Sequence, residues 1–379
     1  MRRIYLDHNT TTPLAPSVQE AMLPFLAEFY ATPDYDYPPS RIVEETLEDA
    51  RGQVAKLIGA TNEEIVFTAS GTESINLAIQ GTFFRNPADI GGHLIVSALD
   101  HPAVTESARF LKQLGVDLTY VRCDKNGVVD PEEVEAAIGP QTRLVCVTLA
   151  NHEIGVIQPL RQIADVCRNH GVLLHADAVQ ACGKIRVQVQ ELGVDLLSLS
   201  AHKFYGPKGA AALYIRNGTP LAPLIYGEGQ ERGLRSGHEN VAAWIGMGAA
   251  AELVRRCLDE SAEAQARLRD MLHDRLAAGI PDRLGVPGAK AERLPNTLSV
   301  QFPGVNGARL LRQSDSICAY TASSMHTGQA GNSPTLSALN MGDDAAAGTI
   351  RFSVGWYTSE EEIEQAADIL VSAWSSLVH

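Results

Sequence analysis

Residues 196–215 read LLSLSAHKFYGPKGAAALYI, two short apolar runs on either side of a polar, turn-rich segment. Each run has the length and composition of a buried strand. A lone lysine is ordinarily a solvated surface charge. Lys203, however, follows directly on an apolar strand and a Ser-Ala-His triplet, and precedes Gly-Pro-Lys-Gly. Such a position holds an amine at the edge of a sheet, where partial burial lowers its pKa enough for Schiff-base chemistry. Ser200 and His202 beside it can donate hydrogen bonds to a phosphate.

Outward from this stretch, residues 15–250 alternate short apolar runs with helical patterns. EEIVFT, HLIVSA, DLTYVRC, TRLVCVTLA, GVLLHADA, DLLSLSA and AALYIR read as strands. VEETLEDARGQVAKLIG, ESINLAIQGTFF, PAVTESARFLKQLG, DPEEVEAAIG and LRQIADVCRNHG read as helices between them. That alternation predicts an α/β fold whose mostly parallel seven-stranded sheet is covered by helices on both faces. From about residue 254 the pattern changes. A long amphipathic helix (ESAEAQARLRDMLHDRLAAG) leads to NTLSVQF, ARLLRQS, IRFSVG and a last helix from Ser359, a smaller α+β lobe. We divide the chain into a large domain, 16–253, and a small one formed by 1–15 and 254–379.

Two further stretches carry chemistry. HADAVQACGK (175–184) puts Asp177 at the carboxyl end of a parallel strand, where ligands bind in open α/β sheets. A carboxylate there suits the pyridine nitrogen of a pyridoxal ring, and Gln180 lies in reach of its phenolic oxygen. FTASGTESINLAI (67–79) passes from strand through Ser-Gly-Thr into a helix, an anion site at a helix N-terminus.

Together these motifs resemble the cysteine desulfurase and selenocysteine lyase family, within the class V aminotransferase group of fold-type I pyridoxal-phosphate enzymes. The resemblance runs from YLDHNTTTPL (5–14) to TIRFSVG (349–355) and includes GQERGLRSG (229–237). It implies pyridoxal 5'-phosphate as cofactor and an amino acid as substrate. Lys203 would carry the cofactor, Asp177 would pair with its pyridine nitrogen and Gln180 with its phenolic oxygen. His101 would stack on the ring and move protons. Gly71, Thr72, Ser200 and His202 would bind the phosphate, and Arg351 would clamp the substrate carboxylate. Asn9 and Thr10 would line the substrate side. The resemblance also implies a homodimer with a shared active site.

The chain departs from that pattern at Met325, in ASSMHTG, where the family carries its nucleophilic cysteine. A thioether has no ionisable S–H and forms no persulfide. Cys318, seven residues earlier, reads as a small hydrophobe in a strand. His152 stands in ANHEIG in place of an asparagine near the phenolic oxygen, and His238 in RSGHEN in place of a threonine that reaches the partner's phosphate. Thr10 replaces a small residue, Glu228 a glycine, and ATPDYDYPPS (31–40) brings two tyrosines and two aspartates to the substrate mouth. These changes favour cleavage of a Cβ–S or Cβ–Se bond without an enzyme thiol, with His326 as general acid and Met325 lining the substrate pocket. The alternatives are transamination, epimerisation or β-decarboxylation of another amino acid, and a scaffold that has lost catalysis.

The bulk numbers set outer bounds. Net charge is −14 with no basic cluster, against a nucleic-acid partner or an anionic membrane surface. The N-terminus lacks a signal-peptide pattern and no stretch suits a membrane span, so a cytoplasmic setting is expected. Six cysteines without a CxxC pair give no metal site.

Overall fold

The computed structural model describes residues 3–86, 90–280, 284–321 and 333–378. After a two-residue strand β1 (Ile4–Tyr5), the large sheet is built from β2 (Ile65–Thr68), β3 (His93–Ser97), β4 (Asp117–Val121), β5 (Thr142–Thr148), β6 (Leu173–Asp177), β7 (Leu196–Ser200) and β8 (Ala211–Ile215). These are the seven strands expected from the sequence, in the spatial order β2-β8-β7-β6-β5-β3-β4. From β4 to β7 every pairing is parallel, whereas β8 runs antiparallel to both β7 and β2. The link 201–210 holds only a short 3₁₀ turn, too little for a crossover helix, so the chain must return antiparallel. That returning link carries Lys203.

Both faces of the sheet are covered, which is why its strands read as nearly continuous apolar runs. Along β5, Val145 and Val147 enter one core while Leu144 and Cys146 enter the other, the period of two that a pleated strand imposes. The first core also takes up the helix Pro38–Ile58, whose Pro38 lies in the first turn, where the missing N–H costs nothing, and whose end is set by Gly59 at φ 69°. This helix starts five residues before VEETLEDA. The helix Val241–Arg256 lacks a polar face to announce it, because it is buried nearly all the way round. It lies against Pro38–Ile58 so closely that a Cβ on Gly248 would sit 2.5 Å from Ala50 Cα.

The remaining strands are β9 (Thr297–Gln301), β10 (Ile317–Cys318), β11 (Tyr320–Thr321) and β12 (Thr349–Ser353). They form a three-stranded sheet, β11-β12-β9, and a parallel pair, β1 with β10. The helices Leu258–Gly279 and Glu360–Val378 bury Leu272, Leu276, Ile363 and Leu370 against Leu298, Val300 and Phe352. The segment after β1 stitches this lobe to the large sheet. Asn9 N–H donates to Ser353 Oγ at 2.9 Å, and Thr12 N–H donates to the His202 carbonyl at 2.9 Å. No helix among the described residues is long and apolar enough to cross a membrane.

Candidate active site

Asp177 ends β6, Ser200 ends β7 and Lys203 lies in the turn that follows, so the carboxyl edge of the parallel strands gathers all three. Lys203 Nζ donates to the carbonyls of Asn9 (2.6 Å) and Thr10 (2.8 Å). Burial, aided by the Arg351 guanidinium, holds its pKa down to about 8 against the pull of Asp177 and Asp7. Asp177 is buried and accepts the Val179 N–H at 2.9 Å through Oδ1. Its own burial pushes its pKa up to about 6, opposed by that hydrogen bond and by Lys203. Behind it, Asp100 is pushed well above the carboxylate range, by burial first and by Asp177 second. Asp100 Oδ1 is buried without a hydrogen-bond partner, as suits a protonated carboxyl.

His101 caps the helix Pro102–Gln113, its Nδ1 accepting the Ala103 N–H at 3.1 Å. That bond leaves Nε2 as the nitrogen that carries the proton in the neutral ring. His101 is exposed, and its ring meets that of His152 edge-to-face, centroids 5.1 Å apart. The surrounding protein and the Lys203 charge keep His101 below the usual histidine value. His152 is also held well below it, by burial first and then by His101, Arg351 and Lys203. Both imidazoles are therefore neutral at physiological pH. A cavity of about 660 Å³ opens beside His101, lined also by Thr72, Asn76, Gln80 and Phe110.

Arg351 rises from β12 with a buried guanidinium. Nη1 donates to the His152 carbonyl at 2.8 Å, and Nη2 to Asp7 Oδ1 (2.6 Å) and Thr10 Oγ1 (2.9 Å). The Tyr320 ring lies under it at 4.3 Å. Nε is buried without a partner. The fork read from the sequence is thus largely engaged by the protein itself, with both Nη2 hydrogens taken.

Asn9 is wholly buried, and its side chain is spent inside the protein. Nδ2 donates to Thr297 Oγ1 at 2.8 Å, and Oδ1 accepts from Asn296 Nδ2 at 3.0 Å. Towards the site it turns its backbone carbonyl, which also accepts Gln180 Nε2 at 2.8 Å. Thr10 is exposed, its hydroxyl placed between Asp7 and Arg351.

Of the residues expected to bind the phosphate, Gly71, Thr72 and Ser200 meet at the start of the helix Gly71–Phe83. A Cβ on Gly71 would lie 2.9 Å from Val179 Cγ2 and 3.5 Å from Ser200 Cβ, so the helix N-terminus abuts the ends of β6 and β7. Thr72 is exposed there, and His202 Nδ1 is 3.1 Å from Thr11 Oγ1. A depressed-pKa amine, a buried carboxylate and a helix N-terminus, capped by Ser70 through the Glu73 N–H, are the donor set that pyridoxal phosphate needs, and these residues fit it. His238 stands apart. It lines another cavity with Asp34, Tyr35, Glu231 and Arg232, in the 229–237 loop region. Met325 and His326 lie outside the described residues.

Four residues near this site carry no signal in the sequence reading: Asp7, Asp100, Lys184 and Tyr320. Asp7 and Lys184 stand inside the motifs YLDHNTTTPL and HADAVQACGK, so their proximity in sequence to Asn9 and Asp177 was the available clue. Tyr320 reaches Arg351 only through the register of β11 on β12. Among the described residues no group of His, Cys, Asp and Glu is placed to hold a metal ion.

A family model described as aminotransferase class-V matches residues 4–366. The cysteine desulfurase IscS of Dictyoglomus turgidum is 42% identical over 97% of this chain and 94% of its own length. Among solved structures, a NifS-like protein superposes with a TM-score of 0.92 at 36% identity, covering 99% of this chain and 100% of that one. SspA, solved in complex with cysteine, gives 0.84 at 32% identity over 94% of this chain and 99% of that one.

Proposed function

The chain belongs to the class-V aminotransferase family as a pyridoxal-phosphate-dependent, cysteine desulfurase-like enzyme, and from that premise we propose that it cleaves a Cβ–S or Cβ–Se bond without forming a persulfide. The observation that carries the proposal is in the sequence: Met325 stands where the resemblance to the family places the nucleophilic cysteine, while Lys203, Asp177 and Gln180 are retained. Cys318 is the nearest thiol in sequence, and as part of β10 it is tied to β1. Its residue is half-buried.

When bound, pyridoxal phosphate supplies the electron sink that acidifies the substrate Cα–H. The protein's part is to hold that group and to move protons. Asp177 keeps a proton on the pyridine nitrogen, which its own raised pKa does not prevent once a cationic partner lies beside it. Lys203 Nζ, neutral for much of the time near pH 8, takes the Cα proton. His101, fixed through Nδ1, presents Nε2 as a second site for a proton. Arg351 meets the substrate carboxylate, and His326 protonates the departing atom.

Without a thiol to attack sulfur, the substrate must carry a group that departs unaided. A sulfinate leaves as sulfite, a selenolate leaves more readily than a thiolate, and a thioether substrate eliminates its sulfur as a free thiol, leaving aminoacrylate that water hydrolyses to pyruvate and ammonia. Two copies of the chain share the site in this reading. The cavity that His238 lines with residues 228–232, and that Lys203 does not line, supports it, since that loop would serve a neighbouring copy.

The test is product analysis by mass spectrometry on the cofactor-loaded protein. Cysteine sulfinate, selenocysteine and S-alkyl cysteines are presented in parallel. Alanine from the first two, or pyruvate from the thioethers, supports the proposal and names the substrate class. A keto acid that retains the whole substrate side chain would mark transamination and overturn it.

A further inference from the structure

Lys184 is a lysine with almost no exposure, 5%, and among the described residues no carboxylate acts on its amine. Its Nζ has two hydrogen-bond partners, Gln180 Oε1 at 2.6 Å and Asn9 Oδ1 at 3.0 Å. Burial, followed by the charges of Lys203 and Arg351, puts its pKa well below that of an ordinary lysine. A buried amine with no counter-charge is costly to keep, and a methionine would fill the space without that cost.

What the amine does follows from the chemistry of its neighbours. An amide has one end that only accepts and one end that only donates, and the two ends have nearly the same shape. Lys184 offers donors to both amides, so the oxygen of each must face it. For Gln180 this sends Nε2 the other way, onto the Asn9 carbonyl. The flipped amide would set Gln180 Oε1 against that carbonyl and Nε2 against an amine already donating elsewhere. For Asn9 the same constraint sends Nδ2 to Thr297 Oγ1. The Asn9 carbonyl in turn accepts Lys203 Nζ. One network thus runs from Lys184 through Gln180 and Asn9 to Lys203.

We propose that Lys184 is a positioning residue that fixes the Gln180 amide with its N–H end towards the cofactor site. Gln180 Nε2 spends one hydrogen on Asn9, and the other is left for a ligand oxygen. The inference rests on the reading that Gln180 faces the phenolic oxygen of pyridoxal phosphate. A donor on that oxygen draws off negative charge and makes the neighbouring Lys203 nitrogen a weaker base. Lys184 never touches the reacting atoms in this arrangement. It decides which end of Gln180 does.

The experiment is a spectroscopic pH titration of the bound cofactor's visible absorbance in wild type, Lys184→Met, Gln180→Leu and the double variant, with folding checked by circular dichroism. Lys184→Met is expected to raise the apparent pKa by about one unit, as loss of a charge-assisted hydrogen bond would. Gln180→Leu should raise it similarly, and the double variant no further than Gln180→Leu alone. Should Lys184→Met not fold, Lys184→Gln takes its place. It keeps an N–H but can turn either end, so a smaller upward shift is expected. A shift in Gln180→Leu with none in a folded Lys184 variant would overturn the role of Lys184 and leave the placing of Gln180 intact. Additive shifts would also overturn it. No shift in either single variant would remove Gln180 from the phenolic oxygen, and the inference with it.

Discussion

Arg351 and Asp7 tie the N-terminal segment to β12 within the small lobe through a largely buried ion pair, Nη2 to Oδ1 at 2.6 Å. Asp7 bridges in register with Ser353 on β12, so the pair rests on the same pairing that anchors the N-terminal segment. Its consequence is that the arginine is oriented before any substrate arrives, at the cost of hydrogens a carboxylate would use. Thr10 deepens that cost by accepting the second Nη2 hydrogen at 2.9 Å.

Thr10→Ala should therefore release one N–H of Arg351 towards the substrate. A charge-assisted hydrogen bond of about 1.5 kcal/mol corresponds to roughly a tenfold gain in affinity. Steady-state kinetics should show KM falling by about three- to tenfold, with kcat little changed. An unchanged KM would mean that Arg351 meets its ligand through other hydrogens.

The pH dependence of cofactor capture follows from Lys203. Its pKa lies at about 8 in the folded protein, below the ordinary 10.5. Only the neutral amine attacks a carbonyl, and its fraction grows as pH rises. The capture rate, followed by stopped-flow absorbance on cofactor-free protein, should climb towards pH 8 and level off above it. A rate still climbing at pH 10 would place Lys203 in a far more solvated setting.

A second buried pair governs stability rather than chemistry. Arg51 meets Glu231 through two hydrogen bonds of 2.8 Å, and Glu231 also accepts the Phe67 N–H of β2 at 2.7 Å. Both side chains are almost fully buried, at 7% and 3% exposure. Removing one partner strands the other charge, so Arg51→Met should cost about 3–5 kcal/mol in chemical denaturation. The 229–237 loop hangs from this pair, and cofactor retention should weaken along with stability.

Much of the fold was legible because each strand was bounded by a helical pattern or a turn, and both sheet faces bury apolar side chains. All seven strands of the large sheet were read correctly, yet their order was not, since order depends on which ends meet in space. The helix Val241–Arg256 escaped because Gly248 and its alanines serve a close approach to Ala50 rather than an amphipathic face. At the site, Lys203, Asp177 and Gln180 stood out because their types and spacing point to one chemistry. Lys184 did not, because a lysine four residues from a glutamine says nothing until both are seen sharing Asn9. Asn9 itself was read as facing substrate, and the structure spends its side chain on Lys184, Asn296 and Thr297 instead.

The reading of residue 325 also predicts a gain of function. Met325→Cys restores an ionisable thiol at the family's nucleophile position, and sulfur transfer from L-cysteine to that thiol should become detectable by intact-protein mass spectrometry as a persulfide adduct. Absence of any adduct would show that the surrounding residues no longer support the transfer.

The measurement that bears most directly on the central claim is sulfide release from L-cysteine by the unmodified, cofactor-loaded protein in the presence of a thiol reductant, with alanine scored alongside. The account predicts neither product above the level of a Lys203→Ala control. Sulfide and alanine in equal amounts would contradict it, and a persulfide mapped to Cys318 after turnover without reductant would identify the thiol that takes the place of residue 325.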